Sequence, residues 1–305
     1  MSRLFLLGSD DFGAQLCDAL SSSISYSDAS CERIRCRVPS TLTLSLALST
    51  HVSFLPDPSF IAPHLSLTVA QLSSPPPDLL VLVDLTSLAF RAPFPATLAL
   101  TPHVMDALHR VFRLLLQLKF ASRLLSEALL YGAARGSNGG ATVAQQQQDE
   151  SGATVAPLAS ISAVHRLRFL LQHHVDTFMY HFYHVGVRVT WTEYEENLSR
   201  CASLDDVARC TRHMADTMAY RCLLTPRAAR LAGIIRGMCN VAVRFAVAAR
   251  QQEDGRGGRY MTVERVAGMM ERAERGAEAL RVTLAGLAER GYQPHLQGLA
   301  ARLGH

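Results

Sequence analysis

The sequence predicts a mainly α protein, a helical bundle with a small β element in its N-terminal third. Three observations carry that expectation. From Pro102 onward apolar residues recur at spacings of three and four over long runs, the period of an amphipathic helix. Before Pro102, short stretches alternate leucine with small polar residues and are punctuated by prolines, the pattern of half-buried strands. Of the 305 residues 49% are hydrophobic and only 18% charged, so the chain has ample apolar surface to fold around a core.

The elements follow in order. RLFLLGSDDFGAQLCDAL opens on an apolar run, Leu4 to Leu7, and a glycine turn. Asp10 or Asp11 then caps a helix bearing Phe12, Leu16 and Leu20. SSSISYSDASCERIRCR reads as a polar connector. Leu42, Leu44, Leu46 and Leu48 alternate with small polar residues, which by period is a strand. HLSLTVAQL and LLVLVDLTSLAF repeat the strand signal, separated by a proline stop. Thr101-Pro102, a capping hydroxyl followed by proline in the first turn, begins a long helix with Val104, Leu108, Val111, Phe112, Leu115, Leu118 and Leu125 on a wide apolar face.

Residues 132–157, rich in glycine, alanine and glutamine, cannot bury enough apolar surface to offset ordering entropy, so they read as a flexible insertion within one domain. The next helix carries Val164, Leu167, Leu171, Val175, Phe178 and Phe182 on one face, among His165, His173, His174, His181 and His184. From Trp191 to Pro226 the pattern is a helical hairpin. Its first arm carries Trp191, Tyr194, Leu198 and Cys201. Its second follows Ser203, with Asp205 and Asp206 in the first turn, and carries Val207, Cys210, Met214, Met218 and Leu223. An apolar central helix, a loop at EDGRGGR, a long helix with glutamate–arginine alternation and a short tail helix complete the chain.

Several function classes find no support in these residues. A net charge of +4, from 30 basic and 26 acidic side chains, is too mild for a nucleic-acid-binding face. One glycine before the first helix, with no lysine-serine or lysine-threonine after it, does not make a phosphate loop. Asp10-Asp11 and Asp205-Asp206 are helix-start pairs, and no nucleophile elbow or paired catalytic carboxylates are visible, so no enzyme and no cofactor are expected. His181 and His184 stand one turn apart, but no carboxylate or cysteine shares their face at ligand spacing; a packed aromatic–histidine face is preferred to a metal site. Seven scattered cysteines without a CxxC pair argue against zinc and for a reducing compartment. No secretory leader is visible at Met1, and Arg236 and Arg244 interrupt the longest apolar tract, so a core helix is expected there and no membrane association.

Stretches in a particular order resemble the gamma-tubulin complex component family, also called the spindle pole body component family, in its C-terminal grip domain. FLLGSDDFGAQLCDAL is similar to the family's FLLG segment and following helix. LAFRAPFPATLALTPHVMDALHRVFRLLLQLKFA is similar to its strand, proline turn and long helix, with Phe94-Pro95 standing for a Trp-Pro. Arg168, Phe178, Tyr180, Trp191 and LDDVARCTRHMADTMAYRCLLT resemble its closing pattern, with His213, Cys222, Leu223 and Leu224 at matching positions. Departures are Val83-Asp84 for a Trp-Asp, Asp216 for a tyrosine, and Val185 to Arg188 for an acidic run before Trp191. The resemblance implies a helix where period two reads a strand at Leu42 to Leu48. It also implies an N-terminal grip domain in family members. Residues 1–305 correspond to the C-terminal domain alone, so the other is expected to be absent, which fits a short form, an incomplete gene model or a fragment.

The function implied is that of a non-catalytic protein that grips gamma-tubulin within a microtubule-nucleating complex. Other complex components are expected as further partners, and the cytoplasm, cytoskeleton and microtubule-organising centre or spindle pole as location. The alternative is a helical scaffold of the same fold that no longer binds gamma-tubulin. Interfaces concentrate their energy on aromatic and arginine anchors, so the partner-facing residues expected are Arg168, Phe178, Tyr180, His181, Arg212 and His213. Trp191 is expected to pack rather than to contact a partner.

Overall fold

The computed structural model describes residues 6–7, 10–21, 24–26, 34–36, 62–69, 80–136, 159–253, 261–289 and 294–303. Among them are the helices α1 (Asp10–Ser21), the single turns α2 (Val81–Asp84) and α3 (Ala96–Ala99), α4 (Pro102–Gly136), α5 (Ile161–Tyr180), α6 (Thr190–Leu198), α7 (Leu204–Arg221), α8 (Ala229–Glu253), α9 (Val263–Glu289) and α10 (Gln297–Leu303). Two antiparallel strand pairs accompany them: β1 (Ile24–Tyr26) with β2 (Ile34–Cys36), and β3 (Leu65–Val69) with β4 (Thr86–Phe90) in the register Leu67 to Leu88. The architecture is the mainly α bundle with a small β element that the periodicities predict. The leucine-alternating stretch at Leu42 to Leu48 and residues 137–157 of the low-complexity segment lie outside the described residues; α4 itself continues past Gly132 to Gly136.

The 35-residue α4 is the spine, packed by α1, α5, α7 and α8. Its predicted face is buried throughout: Val104, Leu108, Val111, Phe112, Leu115, Leu118 and Leu125. Pro102 sets its start through a fixed φ and a missing N–H. The hydroxyl of Thr101, expected to cap it, instead is buried without a hydrogen-bond partner. In α8 the apolar tract lies in the core, and Arg236 inside it meets Asp84 of α2 at 2.6 Å. Gln117 of α4 donates to the same carboxylate. Within Leu204–Arg250 an 18-residue window is apolar enough to cross a membrane by length and composition, yet 56% of that window is buried inside the fold.

Three local readings are corrected. Ile24–Tyr26 and Ile34–Cys36, read as a polar connector, pair as strands. Val81–Asp84 is a helical turn rather than the start of a strand, because the period-two alternation begins only at Thr86. Trp191 does not stand at a helix entrance. α5 runs through a π-helical stretch, His181–Val189, straight into α6, so the first arm of the hairpin is the end of one long helical rod.

The turn after the rod follows the predicted chemistry. Ser203 is extended, its Oγ accepts from the Asp206 N–H at 3.1 Å, and the Asp206 carboxylate accepts from the Ser203 N–H at 3.1 Å, a reciprocal capping box that opens α7. At the other end α7 closes with the Leu223 N–H donating to Tyr220 O at 3.1 Å and the Leu224 N–H to Ala219 O at 2.9 Å. That double bond pattern needs a left-handed residue, usually glycine. Here Leu223 takes it, at φ 59°, held by complete burial of its side chain.

Gly186, inside the π stretch, makes room for this turn. A Cβ built on it would lie 2.7 Å from the buried Cys222 Sγ. Alanine in a helix interior is favoured over glycine by about 1 kcal/mol, while forcing an atom into a packed core costs about 1–3 kcal/mol. Cys222 is itself pinned by the α7 cap, so the clash wins. Gly186→Ala is expected to lower stability by about 1–2 kcal/mol, and the loss to vanish in a Cys222→Ala background. Urea denaturation of the two single variants and the double checks this; equal losses in both backgrounds would refute it.

Candidate partner-binding surface

The six predicted partner-facing residues divide on inspection. On α5, Leu167, Leu171, His174, Val175, Thr177 and Phe178 form the buried face. Phe178 is 0% exposed and His181, one turn on, 3%. Neither side chain can meet a partner, because both fill the interior between the rod and its neighbours. Arg168 and Tyr180 sit to the side of that face: Arg168 is half-buried and Tyr180 is 44% exposed. Arg212 and His213 are exposed on the outer side of α7, opposite buried Thr211, Met214, Ala215 and Met218. Four of the six are therefore available, on two separate helices.

Each available residue has a definable setting. The Arg168 guanidinium lies 5.8 Å from the centroid of Phe169, and its Nε is buried without a hydrogen-bond partner. Arg302 of α10 stacks over the Tyr180 ring at 3.6 Å, and His184 lies 5.0 Å from the ring's centroid. Tyr180 thus has one face taken by the tail helix. Phe169, 72% exposed, was passed over in the sequence although it interrupts an otherwise polar helix face. Phe94, 80% exposed on the turn before α3, is a second apolar side chain left in water.

Trp191 is half-buried, as its lone position beside an apolar stripe suggested. Its indole N–H donates to Glu195 at 2.7 Å, and its ring centroid lies 5.4 Å from that of Tyr194. The rod is tied to α7 by polar bonds. Arg221 donates to both oxygens of Glu193, at 2.9 and 3.1 Å, and to Thr190 Oγ1 at 3.0 Å; Thr190 in turn donates to Gly186 O at 2.8 Å. Tyr194 and Thr211 exchange a hydroxyl bond of 3.1 Å. At the α4 end His103 meets Asp216 at 2.7 Å. These ties make the outer side of α7 a rigid platform for Arg212 and His213.

The inward histidines are neutral spacers. His174 Nδ1 donates to Leu170 O at 2.6 Å, and burial pushes its pKa below the ordinary value. His181 stacks on His295, rings 6.0 Å apart and 15° from parallel, and burial, helped by His295, lowers it to about 4. His295 is lowered by burial and then by Arg221, and the Tyr220 ring closes over it at 5.5 Å. Among the described residues no three histidine, cysteine, aspartate or glutamate side chains come together as a metal-holding group. What the outer surface offers is chemically simple: guanidinium, imidazole and aromatic groups on a stiff helical frame, suited to recognition.

The family model described as gamma tubulin complex component C-terminal matches residues 1–304. A curated relative, gamma-tubulin complex component 5 of Mus musculus, is 26% identical over 231 residues, which cover 73% of this chain and 22% of the relative. The chain thus spans about a fifth of the length of the curated relative it matches.

Proposed function

The chain belongs to the gamma-tubulin complex component family, and from that premise we propose that it is a non-catalytic gamma-tubulin-binding component of a microtubule-nucleating complex. The carrying observation is the match of a C-terminal family model to residues 1–304, over a fold whose helices hold one another rigidly. In this reading the bundle grips gamma-tubulin so that αβ-tubulin can add, alongside other components of the complex, at a microtubule-organising centre or spindle pole in the cytoplasm. Arg212 and His213 on α7 are the contacts we favour, with Arg168 and the free face of Tyr180 on α5 as a second group. An interface of ordinary size buries roughly 800 Å² per partner and rests on a few such anchors.

Purified chain and gamma-tubulin, mixed in a pull-down, test this. Arg212→Ala with His213→Ala is expected to weaken capture about tenfold, or 1.4 kcal/mol, while leaving the melting temperature unchanged. Unaltered capture removes both residues from the surface. A second reading, a scaffold of this fold that does not bind gamma-tubulin, draws on Asp216. It stands where the family pattern carries a tyrosine, and it is engaged with His103. Absence of capture by a well-folded wild-type sample favours that reading.

A further inference from the structure

We propose that the outer stripe of α5 is a docking site for an extended acidic peptide segment of a partner protein. This goes beyond the gamma-tubulin reading, because the stripe's chemistry selects a kind of segment rather than one protein. Arg166, Phe169, His173 and Tyr180 recur at helical spacing and are all exposed, so they share one face of the helix. Two cation–aromatic pairs stand on it. The Arg168 guanidinium lies 5.8 Å from the Phe169 centroid, and that of Arg302, reaching over from α10, lies 3.6 Å from the Tyr180 centroid. His184 packs beside Tyr180 at 5.0 Å, and Arg188 follows, exposed, on the next turn. Phe169 and Tyr180 are about 16 Å apart along the helix axis.

Charge selects the occupant. On α4 and α9 outward arginines meet acids of their own helix, as Arg123 meets Glu127 and Arg281 meets Glu278. Ile161 to Val189 holds three arginines and a single acid, Asp176, which accepts from Gln172 at 2.8 Å. Among the described residues, Arg166, Arg168, Arg188 and Arg302 have no acidic partner. A guanidinium over a ring keeps edge N–H groups open, and its planar fork matches a carboxylate bidentately. The ring also steadies it, so less side-chain freedom is lost when the carboxylate arrives. An extended chain rises about 3.3 Å per residue, so about five residues bridge the two pairs. Carboxylates of such a segment reach Arg302 at one end and Arg166 and Arg168 at the other, their methylenes lying on Phe169. A nucleic-acid strand shares the negative sign, but its bases need open aromatic faces. Here a guanidinium already occupies a face of each ring, and the rod turns acidic beyond the stripe, at Glu193, Glu195 and Glu196.

Fluorescence anisotropy with labelled octaglutamate and the purified full chain tests this. Octaglutamate is expected to bind and octaglutamine not, with affinity falling about tenfold from low to physiological salt. Arg166→Gln with Arg302→Gln, both exposed, is expected to weaken binding about tenfold while leaving the melting temperature unchanged. Asp176→Asn removes the one opposing charge and is expected to tighten binding about twofold, a gain that misfolding cannot mimic. Arg209→Gln on α7 is expected to change nothing, which separates the stripe from the net charge. No binding of octaglutamate, equal binding by the double variant, or an equal loss in Arg209→Gln would overturn the proposal. So would tighter binding of an octauridine RNA, which would make the stripe a nucleic-acid face. Gamma-tubulin capture is scored apart: peptide binding can fail while capture stands, and capture can fail while peptide binding stands.

Discussion

Phe178→Ala is expected to cost about 3–5 kcal/mol of stability, the range for emptying a buried aromatic site. Its ring is 0% exposed, and its centroid lies 6.5 Å from that of His174 on the same buried face of α5. The surrounding helices cannot collapse into the hole without moving α4 or the rod. Phe178→Leu keeps most of the volume and is expected to lose under about 1.5 kcal/mol. The pair separates packing from recognition at a position first expected to face a partner. If Phe178 packs, capture of gamma-tubulin by the alanine variant falls only as its folded fraction falls, and the leucine variant captures normally. A leucine variant that is fully folded yet binds much more weakly would restore Phe178 to the contact surface. Denaturant melts run beside the pull-down measure both quantities.

How far the residues themselves announce this arrangement varies from place to place. The face of α4 is legible because one apolar period runs unbroken from Val104 to Leu125 and every member is buried. The α7 start is legible because its cap is local chemistry, a serine with an acid three residues on. Phe178 and His181 were legible too: they continue the stripe Leu167, Leu171, Val175, and the imidazole's polarity masked an inward position. The π stretch was not, since nine residues of wider winding shift the apolar period too little to register against a 3.6-residue repeat. Trp191 therefore looked like a beginning when it lies within a continuous rod.

Contacts set by tertiary packing left still less trace. The match of Arg236 with Asp84 joins residues far apart in sequence, as does that of His181 with His295. The left-handed Leu223 defies the expectation of glycine because burial of its side chain outweighs the local strain. Local rules thus predict where helices begin, and the apolar period predicts what faces inward. Which outward residues meet a partner is a property of the partner as well, which no period encodes.

Acidification is expected to remove about 3 kcal/mol of stability through His181 alone. Its folded value is about 4 against an ordinary 6.5, a depression of about 2.5 pH units at 1.36 kcal/mol each. The sign follows from which state holds the proton. Above pH 6.5 both states are neutral and the contribution is complete. As pH falls below 6.5 the unfolded chain takes up a proton that the buried native imidazole refuses, so stability declines, with about 2 kcal/mol lost by pH 5 and the rest near pH 4. His174, His109 and His295, each lowered first by burial, push the same way. The native site cannot soften the loss by accepting the charge. The His295 ring stacks on His181, Tyr220 closes over His295, and the nearby Arg221 is already committed to Glu193. Carboxylates also titrate below pH 5, so the discriminating quantity is the difference between wild type and His181→Leu, which has no proton to bind. Urea melts between pH 7 and 4.5 are expected to show a shallower decline in the variant, whatever its stability at neutral pH. Parallel declines would mean that His181 titrates alike in the folded and unfolded chain, and that its burial against His295 carries no pH dependence.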